Sequence, residues 1–447
     1  MNTPICDFVS RYIGSNPCRL HMPGHKGVTL TGAEARDLTE IAGADSLYEA
    51  SGIIRESEEN AGELFGAHTF YSTEGSSHAI RAMLYLVVLF AGQNGQKPVI
   101  AAGRNVHRAF LSAAALLDFD ILWMLPQTQA SYLSCTLTAQ QVETYLTRAK
   151  DKPTAVYLTA PDYLGNLQNL APIAAVCHRH GVLLLVDNAH GAYLKFLPQS
   201  RHPMDLGADL CCDSAHKTLP ALTGAAYLHI SKQCPPFFAS QAKRALALFG
   251  STSPSYLILQ SLDAVNRYLS EDYRAQLAAF LPQMQHCRSR LAEQGFVLYG
   301  EEALKLTLCA KPLGYTGTEL SAILAQQQIF CEFSDPDFTV LMFSPQNGAD
   351  APKRLVEVLC TLPRKAPLHT EPPAFFVPQR VFSVRQASAF AGEEIDACDS
   401  CGKVLLAPNV ACPPAVPIVM CGERIDAHAV ACFSYYGIRK CYVCDAP

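Results

Sequence analysis

The stretch "VLLLVDNAHG", Val182 to Gly191, decides the fold. A strand with one wet face would alternate apolar and polar residues. Five apolar residues in a row read instead as a strand covered on both faces, the mark of a largely parallel sheet. The run breaks off at Asp187, so a carboxylate is delivered to the rim of the sheet, where ligands collect in such architectures. Outward from it, similar segments recur at "TFYST", "KPVIAAG", "AVYLTAP", "ADLCCDSA" and "GAAYLHI". Helical patterns separate them: "SHAIRAMLYLVVLF", "VHRAFLSAAALL" and "NLAPIAAVCHRHG". This alternation over about residues 60 to 250 predicts an α/β domain with helices on both faces of the sheet.

A chain of 447 residues is too long for one core. The pattern divides it into an N-terminal arm (1–35), a large domain (36–290), a small α/β domain (291–365) and a C-terminal unit (376–447). Ser255 to about Gln294 is helical, and the small domain is read from "FVLYG", "LKLTLCA", "GTELSAILAQQ", "TVLMFS" and "KRLVEVLCTL". The proline-rich "PRKAPLHTEPPAFFVP" is a linker.

Composition narrows the class. With 49% hydrophobic and 17% charged residues the chain suits a folded enzyme, and a net charge of -5 gives no basic footprint for nucleic acid. The longest apolar run, "AMLYLVVLFAG", is about half of a membrane span and reads as a buried helix. The opening "MNTPICDFVSRYIG" lacks the basic-then-apolar layout of a signal peptide, so a cytoplasmic location without membrane contact is expected. Eighteen cysteines are then read as reduced thiols. Two C-x-x-C pairs, Cys398/Cys401 and Cys441/Cys444, lie further apart than zinc-ribbon pairs usually do, and no metal is expected.

Four stretches at strand ends carry the chemistry. In "STEGSSHAIRAM", Gly75, Ser76 and Ser77 stand between a strand and a helix, where backbone N–H groups, two hydroxyls and the positive end of the dipole suit a phosphate monoester; an ordinary serine N-cap is the alternative. Asp187 is buried by its strand and needs a cationic partner such as a protonated ring nitrogen, or else serves as a helix or loop cap. His107, in "GRNVHRAF", could stack on a flat ring or cap the helix that follows. Lys217, in "DSAHKTLP", follows the strand "ADLCC" and can form a Schiff base if it loses its proton. Together these are the parts of a pyridoxal-phosphate site.

These residues resemble the group III pyridoxal-phosphate decarboxylases, the bacterial ornithine/lysine/arginine decarboxylase family of fold type I. The likeness is carried by "HMPGHKG" (His21–Gly27), "SGIIRESEENAGELFGA", "EGSSHAIRAM", "RNVHRA", "DNAHGAYL", "DSAHKTLPALTGAAYLH" and "STSPSYLILQSLD". It implies an aspartate-aminotransferase-like large domain with a mostly parallel sheet, a small α/β domain and a C-terminal α+β domain, in the short form that lacks the wing domain. It further implies pyridoxal 5'-phosphate on Lys217, with the ring nitrogen on Asp187. Phosphate would sit on Gly75, Ser76, Ser77 and Ser214. His107 and Ala189 would lie on the two ring faces, with His190 and His216 beside them. Thr252 and Ser253 would fall at a homodimer interface. The implied reaction is decarboxylation of arginine, lysine or ornithine, with polyamine-type amine products.

The C-terminal unit departs from the family. Its Pro-Tyr-Pro-Pro-Gly-Ile-Pro segment here runs from Ala411 through Cys412, Pro413, Pro414 and Ala415 to Pro417, an upstream acidic residue is Ala407, and Gly224 replaces a common glutamine. Glu423 is the carboxylate left to meet a basic substrate's distal charge. Two alternatives stay open: another fold type I reaction (aminotransferase, aldolase or sulfur lyase, for which Arg354 and Arg364 could anchor a carboxylate), or a non-catalytic relative.

Overall fold

The computed structural model describes residues 1–127, 131–409 and 412–445. Strands and helices alternate where the pattern predicts. In chain order they are α1 (Pro4–Gly14), α2 (Ile53–Phe65), β1 (Ala67–Ser72), α3 (Ser76–Gln93), β2 (Val99–Gly103), α4 (Arg108–Leu117), β3 (Asp120–Met124), α5 (Ala139–Arg148), β4 (Ala155–Thr159), α6 (Leu170–Arg179), β5 (Leu183–Asp187), β6 (Leu210–Asp213), α7 (Ala215–Thr218) and β7 (Ala226–Ser231). Three helices follow: α8 (Pro236–Phe249), α9 (Tyr256–Glu271) and α10 (Tyr273–Glu293).

Seven strands make one sheet in the order β1-β7-β6-β5-β4-β2-β3. The pairs β2/β3 and β5/β6 are parallel, whereas β7 runs antiparallel to both β6 and β1. Every residue of β2 and β6 is buried, as continuous apolar runs require. The edge strand β3 is mostly half-buried and was not foreseen: "DILWM" mixes charge and bulk and follows a helix with no turn residue beyond Asp118.

The chain divides into two compact units. One comprises Met1–Lys97, Thr154–Tyr157 and Leu170–Ala278; the other comprises Pro98–Pro153, Leu158–Asn169 and Ala279–Pro447. In the first, Phe65 packs on Phe196, Tyr227 and His229, with ring centroids 4.4–5.6 Å apart, beneath the covering helices. In the second lie β8 (Val297–Tyr299), β9 (Lys305–Cys309), α11 (Gly317–Gln326), β10 (Phe333–Ser334), β11 (Phe338–Met342) and α12 (Asp350–Cys360). There the sheet order β10-β11-β9-β8 is antiparallel throughout. Residues 363–379 form neither helix nor strand. Beyond them α13 (Val384–Ala389), β12 (Glu393–Asp396), β13 (Val404–Leu405), α14 (Ala427–Tyr435) and β14 (Lys440–Cys444) build a three-stranded sheet of order β12-β14-β13. Ala411, noted above as a departure from the family, lies outside the described residues.

All eighteen cysteines are free thiols; nine are buried and five exposed. Among the described residues no helix is long and apolar enough to cross a membrane, and the run "AMLYLVVLFAG" lies in α3.

Candidate active site

The first unit gathers most of the residues read from the sequence. β5 delivers Asp187 to the sheet rim, 1% exposed. Its Oδ2 accepts the Tyr157 hydroxyl at 3.0 Å, and its Oδ1 accepts the Ala189 N–H at 3.2 Å and the Cys212 thiol at 3.7 Å. Burial raises the carboxyl's pKa, and the charge of Lys217 is the largest influence drawing it back down. A carboxylate in this position needs a cation, and in this unit Lys217 supplies it.

Next to β5, β6 ends at Asp213, and its neighbour Ser214 is the N-cap of the single turn α7, which carries His216 and Lys217. Asp213 itself is fully buried. His202 and His229 meet its Oδ2 at 3.0 and 3.2 Å, and Asn188 donates to its Oδ1 at 2.6 Å. The two imidazoles hold its carboxyl well below the usual range. Because Asn188 follows Asp187, the Asn188–Asp213 bond fixes the ends of β5 and β6 side by side, in the register that pairs Asp187 with Cys212. Among the described residues, His202, Cys211 and Asp213 are the one group with metal-ligand spacing. It is fully buried, and Asp213 is already bonded on both oxygens. Neither C-x-x-C pair belongs to it.

Nζ of Lys217 lies 3.1 Å from Nε2 of His190. His216 turns its Nδ1 to the Ala225 carbonyl at 2.9 Å, and burial lowers its pKa. The Nδ1 contact with the carbonyl opposes that shift, and it leaves Nε2 as the ring nitrogen available to exchange a proton.

Opposite these groups, α3 starts at Ser76 after Gly75, whose φ of 75° is left-handed and which gives the helix no side-chain cap. An uncapped helix start leaves orphan N–H groups for an anion. Ser214 Oγ donates to Ser76 Oγ at 2.7 Å, joining α7 to this start, and Ser77 stands half-buried in the same turn. Gly224 closes the turn from behind: its carbonyl accepts the Gly75 N–H at 2.8 Å. Its φ is +96°, and an added Cβ would come 2.9 Å from the Thr73 carbonyl. That closeness accounts for a glycine where a glutamine was expected.

The remaining sequence candidates divide. Thr252 and Ser253 lie exposed in the turn between α8 and α9, where Ser251 N–H donates to Glu74 Oε1 at 2.6 Å. His107 and Glu423 belong to the second unit. There His107 is the N-cap of α4, its Nδ1 accepting the Ala109 N–H at 3.1 Å. Glu423 is 3% exposed and forks onto Arg104. Two partners went unread. Tyr157 sat inside an apolar strand with no sign of where its hydroxyl would point. Arg104 lies in the same "GRNVHRAF" stretch as His107 but stands 319 residues from its carboxylate.

A mostly parallel sheet that brings a lysine, a buried aspartate and an uncapped helix start to one rim is the large domain of a fold type I enzyme. The major domain of the Orn/Lys/Arg decarboxylase family matches residues 3–307. The chain belongs to that family and is an amino-acid decarboxylase of it. It is similar to the arginine decarboxylase of Halalkalibacterium halodurans, with 30% identity across 96% of this chain and 92% of that protein. The arginine decarboxylase of Bacillus subtilis is 28% identical over the same shares. In fold it is similar to lysine decarboxylase A from Pseudomonas aeruginosa, with a TM-score of 0.80 and 17% identity over 97% of this chain and 76% of that one.

Proposed function

We propose that the chain decarboxylates a basic amino acid, arginine foremost, with pyridoxal 5'-phosphate. The observation that carries this reading is the meeting of Asp187, Lys217 and the uncapped α3 start within one unit. The choice of arginine is supported by relatives of that name that align with 96% of the chain. When bound, the cofactor supplies an electron sink for the pair left at Cα as carbon dioxide departs.

The chain's own residues do the rest. Lys217 would hold the cofactor covalently until the amino acid displaces it. Asp187, oriented by Tyr157 and the Ala189 N–H, favours a proton on the ring nitrogen because an adjacent negative charge stabilises the charged form. Ser76, Ser77, Ser214 and the first N–H groups of α3 would hold the phosphate, an arrangement consistent with the missing side-chain cap. His107 and Ala189 would flank the ring, and His190 would steady Lys217. His216 or Lys217 returns the proton to Cα. In this reading the chain is an arm (1–35), a large domain (36–290), a small domain (291–365) and a C-terminal domain (376–447), it works in the cytoplasm, and Thr252 and Ser253 face a second copy in a homodimer.

The test is an absorbance spectrum of the purified protein with added cofactor, followed by assay of carbon dioxide and amine from arginine, lysine and ornithine separately. A cofactor band lost in Lys217→Ala, with agmatine formed from arginine, is the expected result. A band without carbon dioxide from any of the three would refute the proposed reaction, and carbon dioxide from lysine or ornithine alone would refute the choice of arginine.

A further inference from the structure

The chain on both sides of His107 is held by residues from far along the sequence. Arg104, just beyond β2, is 2% exposed, and its Nη1 and Nη2 donate to Oε1 and Oε2 of Glu423 at 2.8 and 2.6 Å. Glu423 Oε2 also accepts the Met420 N–H at 2.8 Å. Four residues after Arg104, the Arg108 N–H donates to the Ala415 carbonyl at 2.8 Å. At the other end of α4, Arg385 donates to the carbonyls of Ala115 and Leu116 at 3.0 and 3.1 Å. Residues 385–423 thus grip α4 at both ends, and His107, its N-cap, sits between the Arg104 and Arg108 contacts. All of these groups belong to the second unit.

A carboxylate with both oxygens on one buried guanidinium meets a second cation only by giving up a desolvated pair, which is costly. Glu423 is therefore badly suited to a substrate's distal charge. A planar fork does fix its partner's position more tightly than a single bond would. We propose that Arg104 and Glu423 are a positioning pair for His107, by which the C-terminal segment sets the imidazole ring and serves the cofactor side of the site. This rests on the reading of His107 as the residue that lies on the cofactor ring.

The test uses Glu423→Gln, which keeps shape and loses charge, and Arg104→Lys, which keeps charge and loses the fork. Each is made alone and on His107→Asn, which keeps a helix cap and removes the ring. The full-length chains are titrated with pyridoxal 5'-phosphate and followed by absorbance and circular dichroism of the cofactor band, and kcat and KM for arginine are measured separately. Both variants are expected to weaken cofactor binding roughly tenfold and to alter the circular dichroism band, an effect that falls below about twofold on the His107→Asn background. KM is expected to stay within about twofold. Effects that simply add on that background, or a large rise in KM with an unchanged cofactor band, overturn the proposal. A His107→Asn chain that binds cofactor like the parent refutes the underlying reading of His107, and that result is visible in the single variant. Melting of the cofactor-free chains reports folding, and Arg104→Lys alone carries the test if Glu423→Gln does not fold.

Discussion

Lys217 and Asp187 answer to each other in the cofactor-free protein, and substitutions should separate their roles. Lys217→Ala is expected to abolish the cofactor band and lower kcat by roughly 10³-fold or more. Asp187→Asn keeps the side chain's shape and an acceptor oxygen for the Ala189 N–H, while its NH2 can donate to the Tyr157 hydroxyl oxygen, so it should fold and bind cofactor while losing about 10²-fold or more in kcat. Equal kcat for Asp187→Asn and the parent would show that the charge at this position does not act on the ring. Asp187 was placed by its sequence because an apolar strand that stops at a charge delivers that charge to the sheet rim, with a cap as the alternative, whereas Lys217 was picked out only together with the other three stretches and the family resemblance. The partners were not legible. Tyr157 lies 30 residues from Asp187 on a different strand, and the imidazoles that hold Asp213 come from a turn and from β7. Such pairings are made by folding, and no local spacing announces them.

Helix α4 and the β10–β11 turn test single elements. His107 both caps α4 and is read as a cofactor residue, and these roles can be pulled apart. His107→Ala should cost the cofactor-free protein about 1 kcal/mol through the lost cap, whereas His107→Asn should melt within about 0.5 kcal/mol of the parent. Asp335, between β10 and β11, accepts the N–H groups of Asp337 and Phe338 on Oδ1, while its buried Oδ2 has no partner among the described residues. Burial pushes its pKa up to about 7. An acid raised in the folded state binds its proton there while the unfolded chain has released it, so stability falls as pH climbs from about 4 to 7. Asp335→Asn should remove that decline, gaining on the order of 3 kcal/mol relative to the parent across this window in denaturant titrations. No change in relative stability between pH 5 and 8 would refute it. At this scale the sequence announced nearly all the elements of the large sheet, because continuous apolar runs and helical periods alternate cleanly. It missed β3, where Asp120 and Trp123 hide a short edge strand.

At the scale of the whole molecule, the reading predicts sedimentation at twice the 48.6 kDa chain mass, and a substitution such as Thr252→Lys should shift the chain toward monomer and lower kcat together. A monomeric, fully active parent would refute the dimer. The proline-rich "PRKAPLHTEPPAFFVP" coincides with residues that form neither helix nor strand, whereas the two compact units each draw on three separate stretches of sequence, which no linear reading separates. The placement of the cysteines has a further consequence. Cys18, Cys360, Cys398, Cys401 and Cys412 are exposed, while thiols such as Cys211 and Cys212 are shut in the sheet with their pKa pushed far up. Thiolate is the reactive form, so a brief pulse of iodoacetamide should label the exposed five first and leave the nine buried thiols untouched. Each opening of a unit would then be written into the chain as added mass at known positions, and peptide mapping would show which unit gives way first on heating.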